Sequence, residues 1–485
     1  MIYKLLLVFQ FLLYHNIFAN NIIFPLSDPI YISVRQNFLR FHGFSIYKEY
    51  SSLNNQYIKK HIENFIYHSS IDKQNVFFQL LPKTKLWNNK PQSEIRIWAS
   101  TYWKDLSIMV EPVLVSNPYG SSILGTNDTR IFSSSGVSGR LINSLVRYQN
   151  NILSFQLGRS PIWWGQPWGT SIIQSSAAPS YDHLDMRFNF NNFQLEVLAG
   201  QLGSEESEAG DRIRRNIAGH RLTWIPEHHK WVIGIGEQVL YTGINRSMEW
   251  WYLNPAVPYF FTALEEDEER LEGERDNDNS ILFIFGRYVI KPNISSHFEF
   301  IVDEFQTKKQ SMEKYPNSLG IKIGIDGLYT ILARDIYFNI EYNKLDNWTY
   351  IHGGQYTNWQ NRDHSIGYPY GSDLWSSQVQ LETWVSKRIL LSFDWLYLTK
   401  GNNNLSTYWE AEGSTELNFP SKPESNYNLI DLSTSFYHTI GYIKMGLSNK
   451  IFPNDIALGN TKNYDQDITL YLEIQLIKGI GVNIY

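Results

Sequence analysis

Residues 320–326 read "GIKIGID" and residues 335–342 read "DIYFNIEY". In the first, Ile321, Ile323 and Ile325 alternate with Lys322, Gly324 and Asp326. In the second, Ile336, Phe338, Ile340 and Tyr342 alternate with Asp335, Tyr337, Asn339 and Glu341. A side-chain period of two marks a strand with one face in apolar surroundings and the other in polar ones. The stretches "NFQLEVLAG" (192–200) and "SSHFEFIVDEF" (295–305) repeat the pattern. A soluble sandwich alternates too, but it does not need so many strands in one run. A transmembrane barrel does, with lipid outside and water inside.

Short and long connections alternate along the chain. The short ones fall at Lys104-Asp105, Asn150-Asn151, Asn191-Asn192, the Pro226 turn, Lys291-Pro292, Asp326-Gly327, Lys387-Arg388 and near Ile440. The long ones cover 116–135, 160–182, 203–215, 242–279, 306–317, 343–374, 401–426 and 450–467. Successive connections of antiparallel strands lie on opposite rims, so the tight turns share one rim and the long loops the other. Outer-membrane barrels have this asymmetry, with short turns in the periplasm and long loops outside. Seventeen strands fit between Glu94 and Tyr485 by this rule. A single-chain bacterial barrel takes an even number, so one more strand is owed earlier, and "NVFFQLLPKTKLW" (75–87) supplies it. The expected fold is all-β and transmembrane: an antiparallel barrel of about eighteen strands over residues 76–485.

The N-terminus reads differently. Lys4 precedes a mostly apolar run from Leu5 to Tyr14, and small Ala19 follows Ile17 and Phe18. That layout is a secretory signal peptide, assigned to 1–19. No other segment approaches the ~18–20 apolar residues of a membrane helix. Residues 20–75 read as a small periplasmic helical segment. Ser27-Asp28-Pro29 offers a capping side chain and a proline in the first turn. Tyr31, Val34, Phe38 and Phe41 follow at helical spacing, and Gly43 stands where the helix should stop. A second helix is expected from Ser52 to Tyr67, with Ile58, Ile62, Phe65 and Ile66 on one face.

Composition agrees with export and membrane insertion. There are no cysteines, so the scaffold rests on hydrogen bonds rather than disulfides. Aromatic residues make up 15% of a chain whose mean hydropathy is negative. A barrel combines these, because only every second residue meets lipid while aromatic girdles mark both interfaces. The net charge of −6 argues against nucleic acid as a partner. The expected location is the bacterial outer membrane, with outer-membrane lipid as surroundings, as a monomer.

The most aromatic connection runs "GRSPIWWGQPWGTSIIQSSAAPSYDHLDMRF" over 158–188. Pro161 and Pro167 cannot donate to a ladder, so its first part is not a strand. Two readings stand side by side. In one, the loop folds inward and packs the mouth of the barrel, with Trp163, Trp164 and Trp168 as its small core. In the other it is a sugar platform: flat rings stack on pyranose faces while Arg159, Gln166, Asp182 and His183 bond hydroxyls.

"GRSPIWWGQPWG" followed by "SIIQSSAAPS" resembles the signature of the Wzi-type capsule assembly proteins. "PLSDPIY" (25–31), "YLNPAVPYF" (252–260), "FIVDEF" (300–305) and "HSIGYPYGSD" (364–373) are similar in order and spacing. Where that family usually has proline after Trp-Trp-Gly, this chain has Gln166. The resemblance implies an outer-membrane barrel of eighteen strands with a small periplasmic helical bundle. It also implies a non-enzymatic lectin role, holding capsular polysaccharide or a related exopolysaccharide at the cell surface.

Other charged groups suggest less. The acidic run from Glu265 to Asp278 lacks the glycine of an EF-hand loop and reads as a solvated external loop. His228-His229 sits in a short turn with no cysteine or carboxylate at zinc-ligand spacing. Lumen carboxylates could in principle form a glycosidase pair, but such groups more often pair with lumen arginines. No cofactor, metal site or catalytic residue is expected. The rival reading from another class is a porin or solute channel, which would keep its lumen open.

Overall fold

The computed structural model describes residues 21–22, 53–54 and 76–482, apart from 88–89, 104, 117–136, 166–168, 208, 227–229, 260–277, 292, 305–316, 353–355, 387, 407–417, 439–440, 454–463 and 477. The expected signal peptide, Gln166, Trp168, His228-His229, the acidic run up to Asn277 and Tyr485 therefore lie outside the described residues. So does the expected helical segment 20–75, except for Asn21–Ile22 and Leu53–Asn54, which pair with each other as a two-residue antiparallel ladder and not as helix.

The long strands in chain order are β1 (Val76–Trp87), β2 (Lys90–Trp103), β3 (Leu106–Ser116), β4 (Val137–Gln149), β5 (Leu153–Ser160) and β6 (Tyr181–Phe190). Next come β7 (Phe193–Gln201), β8 (Arg212–Trp224), β9 (Trp231–Ile244), β10 (Asp278–Lys291), β11 (Ile294–Glu304) and β12 (Ser318–Ile331). The last are β13 (Arg334–Leu345), β14 (Leu374–Ser386), β15 (Ile389–Lys400), β16 (Ser425–His438), β17 (Gly441–Pro453) and β18 (Tyr464–Leu476, continuing as Lys478–Val482). Each pairs antiparallel with its sequence neighbours, and β18 returns to β1, with Tyr471 opposite Trp87 and Val482 opposite Val76. The described residues thus form a closed barrel of eighteen strands. Closure removes every sheet edge, which a lipid environment requires. Among the described residues no helix is long and apolar enough to cross a membrane.

The alternation read from sequence sorts the two faces. Ile321 and Ile323 stand on the outer wall, while Lys322 and Asp326 are fully buried inside. Leu114, Leu157, Ile235 and Leu282 continue the apolar exterior. Near the short turns, aromatic pairs supply a girdle: Phe190 stacks on Phe193 at 5.9 Å, and Trp231 lies 4.2 Å from Tyr288. Such rings suit the boundary between hydrocarbon and headgroups.

Two connections differ from the expectation. Asp326-Gly327 is not a turn but lies within β12. Its hairpin signal is overridden by what the side chain and backbone meet there. Asp326 points inward, where it accepts from Arg287 at 2.6 Å and faces His297 Nδ1 at 3.1 Å. At Gly327 any Cβ would collide with the backbone of Asn293 and of Ile294, where β11 begins. The chain turns instead at Leu332-Ala333, both at positive φ (50° and 59°), as a two-residue hairpin of right-handed twist demands. The other difference is on the outer rim, where β1 and β2 are joined by only two residues, with Trp87 opposite Lys90.

Candidate functional site

A barrel of this strand number leaves room for an aqueous channel unless something fills it. Here loops fill it. The connection after β5 turns into the lumen, and Ile162, Trp164, Ile172 and Ile173 form one buried cluster with Ile217, Phe283, Phe285 and Ile301 of the inner wall. The connection after β13 joins the same cluster through Tyr350, Trp359, Ile366 and Tyr368.

The first loop is seated on carboxylates. Glu299 of β11 accepts from the Ile172 N–H at 2.8 Å and from the Ser171 hydroxyl at 3.0 Å. Glu341 of β13 accepts from the Thr170 hydroxyl at 2.8 Å and its N–H at 3.2 Å. Between them on β12, Lys322 lies 3.0 Å from Glu341 and 3.8 Å from Glu299, and its ammonium donates to the Thr170 carbonyl. Backbone can approach carboxylates this closely only where no Cβ intervenes. Gly165 (φ 119°) and Gly169 (φ 81°) sit at those points, and a side chain at either would run into Glu299 or Glu341. The glycines of the Trp-Trp-Gly and Trp-Gly pairs are therefore requirements of the seat.

Trp164 is wholly buried beneath this loop. Its indole N–H donates to Glu196 of β7 at 2.8 Å, its ring tilts against Phe283 at 5.8 Å, and the Arg221 guanidinium lies 5.0 Å over it. Arg221 also binds Glu196 through two N–H groups at 2.6 and 2.9 Å. Gly219 of β8 leaves the space the indole ring occupies, since a Cβ there would meet it at 2.7 Å. A buried indole N–H left without an acceptor would cost on the order of 1–3 kcal/mol, and Glu196 removes that cost.

The second loop is tied to the first and to the wall. The Tyr350 N–H donates to Asp303 at 2.6 Å, its hydroxyl donates to the Ile172 carbonyl, and the same oxygen accepts from the Tyr368 N–H at 3.2 Å. Burial pushes both phenols above the usual tyrosine value. Arg215 of β8 gathers the carbonyls of Tyr356, Asn358 and Gln360 at 2.8, 2.8 and 2.9 Å. The Ser175 N–H donates to the Ile366 carbonyl at 2.8 Å, joining loop to loop.

The residues singled out in the aromatic stretch divide among three places. Trp164 and His183 face the lumen; His183 meets Gln156 at 2.8 Å and the Tyr181 carbonyl at 2.9 Å. Arg159 and Asp182 form a bidentate pair at 2.7 and 2.9 Å on the opposite, outward face of β5 and β6, and the Asp182 side chain is 64% exposed. Asp182 and His183 are consecutive in a strand, so they cannot share a face. Trp163 is half-buried in the loop. Glu299, Glu341, Lys322, Arg215 and Asp303 were not singled out, although "FIVDEF" contains the last of them and the polar face of the alternating strands contains Lys322 and Glu341.

A closed barrel with an apolar exterior, an aromatic girdle and two long loops packed into its lumen defines an outer-membrane β-barrel with an internal loop plug. The model of the capsule assembly protein Wzi family matches residues 87–440, and the chain belongs to that family. Among solved structures, Wzi of Escherichia coli, described as an outer-membrane protein involved in group 1 capsule assembly and a carbohydrate-binding β-barrel, is similar with a TM-score of 0.55 and 13% identity over 84% of this chain and 85% of that one. OprD of Pseudomonas aeruginosa (TM-score 0.44, 8% identity, 84% and 95% covered) and a BenF-like porin of Pseudomonas fluorescens (0.46, 8%, 83% and 98%) are also similar. No curated protein matches the chain.

Proposed function

We propose that this protein holds capsular or a related polysaccharide at the cell surface, on the outer side of its loop plug, as a non-catalytic step of capsule assembly. The observation that carries the reading is the seating of two long loops inside the barrel by hydrogen bonds to buried charged side chains of its wall. A diffusion pore needs an open lumen, whereas a fixed plug gives a rigid outer surface with which to hold a polymer. Family membership supports the same role, as does the carbohydrate binding ascribed to the E. coli barrel.

In this reading Trp163, Trp168 and Gln166 of the loop, with the Arg159–Asp182 pair at the rim, contact sugar. Trp164 and His183 act from beneath by holding the loop in shape. Each contact is weak, but a repeating polymer engages many at once, so neighbouring binding events reinforce one another. The test is Trp163→Ala combined with Trp168→Ala in the producing cell. The double variant is expected to assemble a heat-modifiable barrel and to release capsule into the medium. A normally assembled barrel that keeps all its capsule would reduce the loop to packing.

A further inference from the structure

Besides the Arg159–Asp182 pair, the described outer wall carries a polar sector on β8 and β9. On β8 and β9, Leu222, Trp224, Trp231 and Ile235 face outward and are exposed. Two residues further up the same faces stand His220 and Glu237, opposite one another in register and 3.1 Å apart. Above them come Ala218, Val239 and Tyr241, all buried although they too face outward. Asp278, at the start of β10, shares this side and is also buried.

What covers them is the segment after β9. Arg246 pairs with Asp278 and with Glu249 at 2.7 Å, and its guanidinium lies 4.9 Å over the Tyr241 ring. The Tyr252 hydroxyl donates to Asp278 at 2.8 Å, and Tyr252 and Tyr259 pack with Ala218, Val239 and Tyr241. Tyr259 sets its ring edge-on to His220 at 4.6 Å. Residues 246–259 thus form a strap that leaves the rim and lies down the outside of the barrel. Its inner side neutralises and shields polar groups that hydrocarbon would not tolerate.

Its outer side carries no unpaired charge. Trp250 is 85% exposed, Met248 and Trp251 about half, and Pro255 and Ala256 are exposed beside them. Trp231 marks the lower girdle. The ten residues from there to Tyr241 rise about 23 Å at ~3.3 Å each and a tilt near 45°. That is close to the height of the apolar band, about 25 Å, so the strap sits at its upper edge and continues the lipid-facing surface. We propose that residues 246–259 form a membrane-interface strap whose Trp250, Trp251 and Met248 side chains enter the outer leaflet of the membrane. In this sector a loop, rather than a strand, supplies the upper aromatic girdle.

The native chain has no cysteine, so single labels are simple to place. Trp250→Cys and Met248→Cys, each labelled with bimane in the full-length protein, are reconstituted into vesicles of phosphatidylcholine brominated near the headgroup end of its acyl chains. Ile235→Cys serves as the lipid-facing reference and Asp211→Cys as the reference in water. Labels at 250 and 248 are expected to lose fluorescence to the bromines as the label at 235 does, and to emit further to the blue than the label at 211. Quenching no greater than at 211 would overturn the proposal. With red-shifted emission the strap would face water; with blue-shifted emission it would be covered by protein.

Discussion

Lys322 on β12 and Glu341 on β13 meet at 3.0 Å with neither side chain reaching solvent, and both also hold Thr170 of the inward loop. Strand, strand and plug are joined at this one place. A buried ion pair is weak evidence of stability in itself, because desolvation opposes the attraction. Removing one partner is a different matter: without Glu341, Lys322 keeps only the more distant Glu299, at 3.8 Å.

Glu341→Gln is therefore expected to loosen the plug without dissolving the barrel. The loss falls on local stability and stays below the about 3–5 kcal/mol of a buried pair broken from one side, because Glu299 still faces Lys322. In planar bilayers the variant should show channel-like openings more often than the native protein does, while heat-modifiable migration stays native. Native-like closure would mean that Glu299 alone suffices to hold Lys322 and the loop.

Gly169→Ala tests the same seat from the loop side. A residue at φ 81° facing Glu341 has neither the conformational freedom nor the space for a side chain, and such strain costs on the order of 1–3 kcal/mol. The expected outcome is proteolytic cleavage within 161–180 on intact cells, at protease concentrations that leave the native loop whole. Gly139→Ala, at a strand position where the Cβ would meet the end of the Leu114 side chain at 3.0 Å and the Val113 carbonyl at an ordinary 3.6 Å, should leave the loop resistant.

Orientation and the shifted turn can be read together. Leu332 is 93% exposed at the tip of the β12–β13 hairpin, on the rim of the short turns, and Asn404 is exposed on the rim of the long loops. A membrane-impermeant thiol reagent should label Asn404→Cys on intact cells and should reach Leu332→Cys only after the outer membrane is opened. Equal labelling of both on intact cells would reverse the topology.

The alternation of Ile321 with Lys322 made the barrel legible in the sequence, because period two assigns each residue a face whatever its partner. The Asp326-Gly327 signal misled, because a salt bridge to Arg287 and a close backbone approach outweigh local turn preference. Leu332-Ala333 carries no residue signature of a turn at all. The aromatic loop was legible as something rigid, yet its direction was not. The groups that draw it inward are distant along the chain: Glu299 lies 128 residues from Ser171, and Glu341 lies 171 residues from Thr170. The contrast between Arg159–Asp182 outside and His183 inside follows from strand alternation, but only once β6 is known to begin at Tyr181.

The central claim is that the outer side of the plugged barrel binds polysaccharide, and equilibrium binding of purified capsular polysaccharide to the protein in lipid nanodiscs tests it most directly. The native protein should bind saturably, and Trp163→Ala with Trp168→Ala should bind more weakly, by about fivefold for each ring whose stacking contributes ~1 kcal/mol. A native, closed barrel that binds no polysaccharide, or a double variant that binds as tightly as the native protein, would contradict the account.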